Sequence, residues 1–195
     1  MITFLKGTLA HKKPPVISID VNGVGYEVLV PMGTFFALPA VHEPVFLFTH
    51  HSIREDGQSL YGFLTEQDRA LFRELIKVNG VGPKLGLTLL SGMESAQLLR
   101  TIADENITAL VKLPGVGPKM AQRLVVEMKD KVSRFDGLDA VAVVSTPHKQ
   151  SQLDEAMEAL LSLGYKPGEA KRMLDQCPQD LSAQDLIRSA LRQGA

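Results

Sequence analysis

The chain of 195 residues contains a single cysteine, Cys177. It can form no internal disulfide, which fits a reducing compartment, and a lone thiol near a helix end reads as inert. No apolar run is long enough to span a bilayer. Lys6 is not followed by an apolar core and a small-residue cleavage site, so no signal peptide is expected. The pattern G-x-x-x-x-G-K-S/T is absent, which excludes ATP binding by a P-loop. The acids are scattered or lie on a turn, without the cluster that a two-metal nuclease requires. Net charge is only −1, which by itself argues against a nucleic-acid binder.

The distribution of charge argues the other way. Residues 1–63 carry four Lys/Arg against five Asp/Glu, residues 64–135 eleven against eight, and residues 136–195 six against nine. The positive excess falls on the one segment that repeats. Leu75–Met93 reads LIKVNGVGPKLGLTLLSGM and Leu110–Met128 reads LVKLPGVGPKMAQRLVVEM. Gly80 maps on Gly115, Gly82 on Gly117 and Lys84 on Lys119. A repeat this short is one supersecondary unit used twice, not a solenoid.

Each copy places a glycine-rich turn between two amphipathic helical patterns. Leu71, Leu75 and Val78 precede the first turn; Leu85, Leu89 and Leu90 follow it. Ile107, Leu110 and Val111, then Met120, Leu124 and Val125, flank the second. Pro83 and Pro118 suit the first turn of the following helix. The N–H groups there lie at the positive end of a helix dipole and form an anion site, with Lys84 and Lys119 beside it. Backbone donors cannot read a base, so the natural ligand is a phosphate chain. An isolated G-x-G turn is as well a tight helical corner; the second copy with the same lysine favours phosphate. Arg123, one turn beyond Lys119, can reach a phosphate or pair with Glu127. Lys129 and Lys131 read as a solvated helix end.

The N-terminal segment alternates. Ile17, Ile19 and Val21 are followed by the hairpin signal Asn22-Gly23, and Tyr26, Val28 and Val30 resume the alternation. Residues 44–49 and 59–63 are further strands, and no helical period shows among them. This predicts a small closed barrel. Thr65 caps a helix running to about Lys77, Ser91-Gly92 closes the next, residues 94–103 form a connecting helix, and Asn106 caps the entry to the second hairpin. The helix after Pro118 runs to about Ser133. Residues 135–150 have no period and read as a flexible linker, with Val141–Val144 as an apolar patch and His148 solvated. Leu153, Met157, Leu160 and Leu161, then Ala170, Met173 and Leu174, then Leu186, Ile187 and Ala190 give three helical faces, with Gly164 ending the first helix and Pro167 starting the second.

Gly-Val-Gly-Pro-Lys between two helices resembles the helix-hairpin-helix motif of sequence-independent DNA-binding proteins. With MITFLKGTL, REDGQSLYGF, KVNGVGPK, SGM, LVKLPGVG, VEMKDK and LGYKP, the chain resembles the RuvA family of bacterial Holliday-junction-binding proteins over nearly its whole length. The resemblance is weakest over residues 135–150. It implies a multidomain α+β chain: an OB-like β-barrel over 1–64, an all-α tandem helix-hairpin-helix domain over 65–134, a linker over 135–150, and a three-helix, ubiquitin-associated-like bundle over 151–195. Gly80, Gly82, Lys84, Gly115, Gly117, Lys119, Arg123 and Arg54 form the DNA-binding set. Glu55 and Asp56 match the family's acidic pin, although Asp-Gly alone predicts only a solvated hairpin turn. Leu163 and Tyr165 belong either to a partner-binding groove or to the bundle core.

Further implications are Holliday junction DNA, the RuvB hexameric ATPase and the RuvC resolvase as partners, and a homotetramer or an octamer on DNA. The setting is recombination, DNA repair and the SOS response to DNA damage, in a bacterial cytoplasm with nucleoid association when bound. No catalytic residue, metal, cofactor or membrane contact is expected. The family often carries a basic residue where Pro118 stands, so one phosphate contact is expected to be absent from the second hairpin. A glycosylase or nuclease and a pure protein-interaction module are the alternatives. The first would want an acid poised behind a hairpin, the second only the C-terminal bundle.

Overall fold

The computed structural model describes residues 1–55, 57–133, 135, 149–163, 165–178 and 181–193. The chain forms two compact units, Met1–Ala140 and Val141–Ala195. The first opens with five strands: β1 (Phe4–Lys13), β2 (Val16–Val21), β3 (Val24–Leu29), β4 (Pro44–Arg54) and β5 (Gly57–Phe63). They close into a barrel in the order β1-β2-β3-β5-β4. All neighbours are antiparallel except β3 and β5, which meet in parallel at Leu29 and Tyr61.

Alternation places Leu5, Leu9, Ile17, Ile19, Val28, Val45, Leu47 and Leu60 in the barrel core. Asn22 (φ 52°) and Gly23 (φ 87°) both take positive φ at the β2–β3 turn, the twist that a two-residue hairpin requires.

One helix inside this region has no counterpart in the sequence reading. Residues Met32–Ala37 form α1, too short to show a period. Phe35 enters the barrel core, and the Met32 N–H donates to Ser91 Oγ at 3.1 Å. Tertiary contacts thus hold a helix that local sequence does not announce.

The helical half of the unit comprises α2 (Glu66–Leu75), α3 (Pro83–Gly92), α4 (Ser95–Ala103), α5 (Ile107–Val111) and α6 (Pro118–Val132). Thr65 Oγ1 accepts from the Asp68 N–H at 3.0 Å and Asn106 Oδ1 from the Ala109 N–H at 3.0 Å, so both expected caps form. Val111 departs from its expected apolar face and is 37 % exposed, because α5 is little more than one turn long.

Barrel and helices share a core. Tyr61 and Phe63 of β5 pack with Phe72 of α2, the ring centroids lying 5.1 and 5.0 Å apart. Burial of Phe63 and Phe72, both fully enclosed, contributes about 2–3 kcal/mol each. Arg69 adds a polar tie. It is buried, donates to Thr3 O at 2.6 Å, pairs with Glu66 and lies over the Phe48 ring at 5.4 Å. Phe135, assigned from sequence to the linker, is 4 % exposed and belongs to this helical core, since its ring gains more from apolar contact than from water. Its carbonyl accepts from Gln67 Nε2 at 3.4 Å.

The second unit contains α7 (Lys149–Ser162), α8 (Pro167–Asp175) and α9 (Ala183–Gln193). Lys149 and Gln150 are therefore already helical. Ala156, Leu160, Ala170, Met173, Leu174, Cys177, Leu186 and Ala190 form the core. Leu161, read as part of the apolar face, is 40 % exposed. Cys177 is buried, its Sγ donating to Met173 O at 3.3 Å. The readings made for Gly164, Val141–Val144 and His148 lie outside the described residues.

Candidate nucleic-acid interface

The two glycine turns adopt one backbone. Gly80 has φ 88° and Gly115 φ 81°, in the left-handed region open to glycine. Two residues on, Gly82 (φ −83°, ψ 170°) and Gly117 (φ −87°, ψ 171°) occupy the N-cap positions of α3 and α6. The intervening valine points inward: Val81 is 3 % and Val116 5 % exposed. Matching bonds brace each turn, Val81 N–H to Val78 O at 2.9 Å and Val116 N–H to Leu113 O at 3.1 Å. The first-turn helix bonds match too, Gly86 N–H to Gly82 O and Ala121 N–H to Gly117 O, both at 2.9 Å.

Several N–H groups are left over. Among the described residues no acceptor meets those of Gly82, Lys84 and Leu85, or of Gly117, Lys119 and Met120. Each set lies at the start of a helix of ten or fifteen residues, and Lys84 and Lys119 are exposed beside it. Each turn therefore presents donors and a cation to an anion, with no side-chain cap competing for the donors.

The two hairpins grip each other reciprocally. A methyl added at Gly80 would lie 2.8 Å from Met120 Cε, and one added at Gly115 would lie 3.1 Å from Leu85 Cδ1. In the repeat Gly80 corresponds to Gly115 and Leu85 to Met120, so this is one contact made in both directions. Such reciprocity marks an approximate two-fold relation between the hairpins.

Arg123 crosses the same seam. Its Nη1 donates to Asn79 O at 3.0 Å, tying α6 to the first turn. Among the described residues it makes no ion pair with Glu127. One guanidinium nitrogen is thus engaged, and the remaining donors of this exposed side chain have no acceptor among the described residues. Arg54, exposed at the end of β4, reaches the first hairpin: its Nη2 is 3.8 Å from where a Gly82 Cβ would stand.

Lys129 and Lys131 are not a simple solvated end. Lys129 pairs with Glu105, whose hydrogen bond and charge raise the ammonium pKa. Lys131 pairs with Glu74 at 3.1 Å. Burial pushes the Glu74 carboxyl up, but hydrogen bonds and charge from Lys77 and Lys131 outweigh it and leave the pKa below its ordinary value. Both lysines are thus engaged with acids of α2 and the α4–α5 corner, away from the two turns.

Residues 1–62 match the family described as RuvA N terminal domain, residues 72–130 the SAM-like helix-hairpin-helix tandem, and residues 151–193 the RuvA C-terminal domain. A protein of Stutzerimonas stutzeri (strain A1501) is 48 % identical over 198 residues, covering 98 % of both chains. One of Vibrio vulnificus (strain YJ016) is 49 % identical over 201 residues, again with 98 % of both chains covered. Each is named Holliday junction branch migration complex subunit RuvA. The chain belongs to the RuvA family.

Within that family frame the structure gathers Arg54, Gly80, Gly82, Lys84, Gly115, Gly117, Lys119 and Arg123 into the first unit, around the paired turns. Glu55 is exposed next to Arg54 at the β4–β5 turn, and Asp56 lies outside the described residues. Leu163 and Tyr165 belong to the second unit. Leu163 is 60 % exposed, whereas Tyr165 is half-buried against the bundle core. The two residues that sequence left undivided are thus separated by burial.

Sequence reasoning missed Asn79 as the carbonyl that receives Arg123, and Arg69 as the tie between barrel and hairpins. Neither leaves a local signal, since both contacts join residues more than forty positions apart. Among the described residues no three His, Cys, Asp or Glu side chains are placed to hold a metal, and no helix is long and apolar enough to cross a membrane.

Proposed function

We propose that this chain is the non-catalytic DNA-binding subunit of a branch migration complex and binds Holliday junctions by their backbone, without regard to base sequence. The observation that carries the reading is the duplicated turn: two sets of N–H groups without an acceptor among the described residues, each with an exposed lysine, on one pair of hairpins in mutual contact. The names of the relatives and the family matches support it.

Gly82 and Gly117 let a phosphate approach the amides closely, while Lys84 and Lys119 pair with its charge. Arg54 and the free donors of Arg123 add to the same grip. Glu55 and Asp56 act in the opposite sense. Carboxylates beside converging phosphates repel them, which keeps strands apart at a crossover and disfavours ordinary duplex. The division 1–64, 65–134, 135–150 and 151–195 assigns DNA to the first two segments. The last recruits the RuvB ATPase, with Leu163 as its exposed apolar contact and Tyr165 supporting it. Four-fold assembly suits a four-armed ligand, one protomer per arm, either as one tetramer or as an octamer on both faces. RuvC resolvase is the further partner in this reading, and its setting is recombination and repair in the bacterial cytoplasm.

The test is a gel shift comparing a four-way junction with duplex of equal length. Preference for the junction that persists across base sequences is expected; equal affinity for both would overturn the reading. Replacing Glu55 and Asp56 together by Gln should tighten duplex binding and blur the preference. Deleting residues 151–195 should leave junction binding intact and abolish motor recruitment.

A further inference from the structure

Two concavities meet beside the first hairpin. A polar groove of about 290 Å³ runs past Arg54, Gln58 and Lys84. An apolar cleft of about 350 Å³, within the size range of small-molecule sites, is walled by Leu29, Met32 and Leu87. Ser59, Tyr61 and Lys84 line both, so the two adjoin at these residues and make a recess with a charged end beside an apolar end.

Two hydroxyls of the apolar end are already engaged, whereas those of Ser59 and Tyr61 have no hydrogen-bond partner among the described residues. Thr88 Oγ1 donates to Lys84 O at 3.0 Å, and Ser91 Oγ donates to Leu87 O at 2.7 Å while accepting the Met32 N–H. Gln58 Oε1 meets His51 Nε2 at 3.0 Å. The walls therefore offer apolar surface with the Ser59 and Tyr61 hydroxyls as their spare polar groups. At the charged end, neither Arg54 nor Lys84 makes an ion pair among the described residues. A flat, mostly apolar group joined to a phosphate matches this arrangement, and a nucleotide out of the base stack is such a group.

We propose that this recess receives one extruded nucleobase from the branch point of a junction, with its phosphate held by Arg54 and Lys84. The proposal rests on the junction-binding reading above and adds to it a physical source of structure selectivity. Taking a base out of a duplex stack costs a few kcal/mol, and least where the base is already unpaired. Bases at a branch point are paired but lack a continuous stack across the crossover, so extrusion costs less there than within continuous duplex. Because the spare wall groups are hydroxyls, which can donate or accept, they suit any base edge, and selection falls on branching and not on sequence.

The experiment uses the full chain and a four-way junction carrying 2-aminopurine at the branch point. Gel shift reports complex formation, and acrylamide quenching of the 2-aminopurine reports whether the base is enclosed. Quenching should fall several-fold in the complex. Thr88→Phe, which directs a ring into the cleft from α3, should restore quenching and lower the junction-over-duplex preference. Undiminished quenching in a complex that still shifts the gel would overturn the recess while leaving junction binding standing. Absence of any shift would sink both. A second readout needs no variant: 5-iodouracil at the same position should photocrosslink to Met32 or Tyr61. Crosslinks found only outside the recess would overturn the proposal.

Discussion

The two hairpins share a backbone and differ in their surroundings. The first is wedged between the barrel and α6. Pro83 is buried, Gly82 is half-buried, Arg54 stands over the turn, and Arg123 holds its Asn79 carbonyl. The second stands free: Gly117, Pro118 and Lys119 are all exposed. The helices that follow the turns show the same contrast. Gly86 fits against Ile76 and Phe72, where an added methyl would lie 3.1 Å from each, whereas its counterpart in the second copy is Ala121. A duplicated motif thus becomes two unequal grips, one rigidly placed by the barrel and one presented to solvent.

The largest expected effect comes from removing both cations. Lys84→Ala with Lys119→Ala should weaken junction binding by about a hundredfold, taking about 1.4 kcal/mol per charge-assisted hydrogen bond. The slope of log affinity against log salt should fall by about two units, one for each phosphate left without its lysine. The single variants sharpen the contrast: Lys84→Ala should cost more, since Lys84 acts together with Arg54. Equal effects of the two single variants, measured by salt titration, would remove the barrel's contribution to the grip.

Next come the turn glycines. Gly80→Ala and Gly115→Ala each force a side chain into left-handed backbone, at a cost of about 1–2 kcal/mol. Denaturant unfolding checks this. Similar destabilisation is expected at both positions, because the backbone is shared even where the surroundings are not.

Pro118→Lys tests the exposed hairpin by addition. A further cation at the second turn should tighten junction binding by about fivefold and steepen the salt slope by about 0.9. No change in slope would show that the added charge does not reach a phosphate.

The smallest effect is a pH dependence of the wedged hairpin. Burial, then the charges of Arg73, His51 and Arg69, lower the His50 pKa from 6.5. The ring lies 5.5 Å from Phe72, the residue that anchors the entry to the first turn. The unfolded chain takes up the proton near 6.5 while the folded chain resists it. Stability is therefore full above that pH and declines as pH falls towards the folded value. Hydrogen exchange at Val78 and Val81 should accelerate over this window more than at Leu113 and Val116, and His50→Gln should flatten the difference.

Much of the fold was legible locally. Alternation marked β2 and β3, Asn22-Gly23 marked their turn, and Thr65 and Asn106 marked two helix starts. These features depend on neighbours in sequence, so a single chain displays them. α1 was not legible, because six residues hold a helix only through Phe35 in the barrel and Ser91 on α3. Sequence alone does not separate Phe135 from the linker for the same reason: its burial depends on helices formed by earlier residues. The site divides in the same way. The glycines and lysines announce themselves by repetition, but the roles of Arg123 and Arg69 depend on carbonyls supplied by distant segments.

Residue order alone decided the chemistry of each turn: glycines for close approach, proline to start the helix, lysine to meet charge. Tertiary packing decided how the turns face each other, which arginine braces which loop, and where a recess opens beside Lys84. The reason is range. Backbone preference acts over a few residues, whereas the spacing of two grips is set by contacts that only the closed core brings within reach.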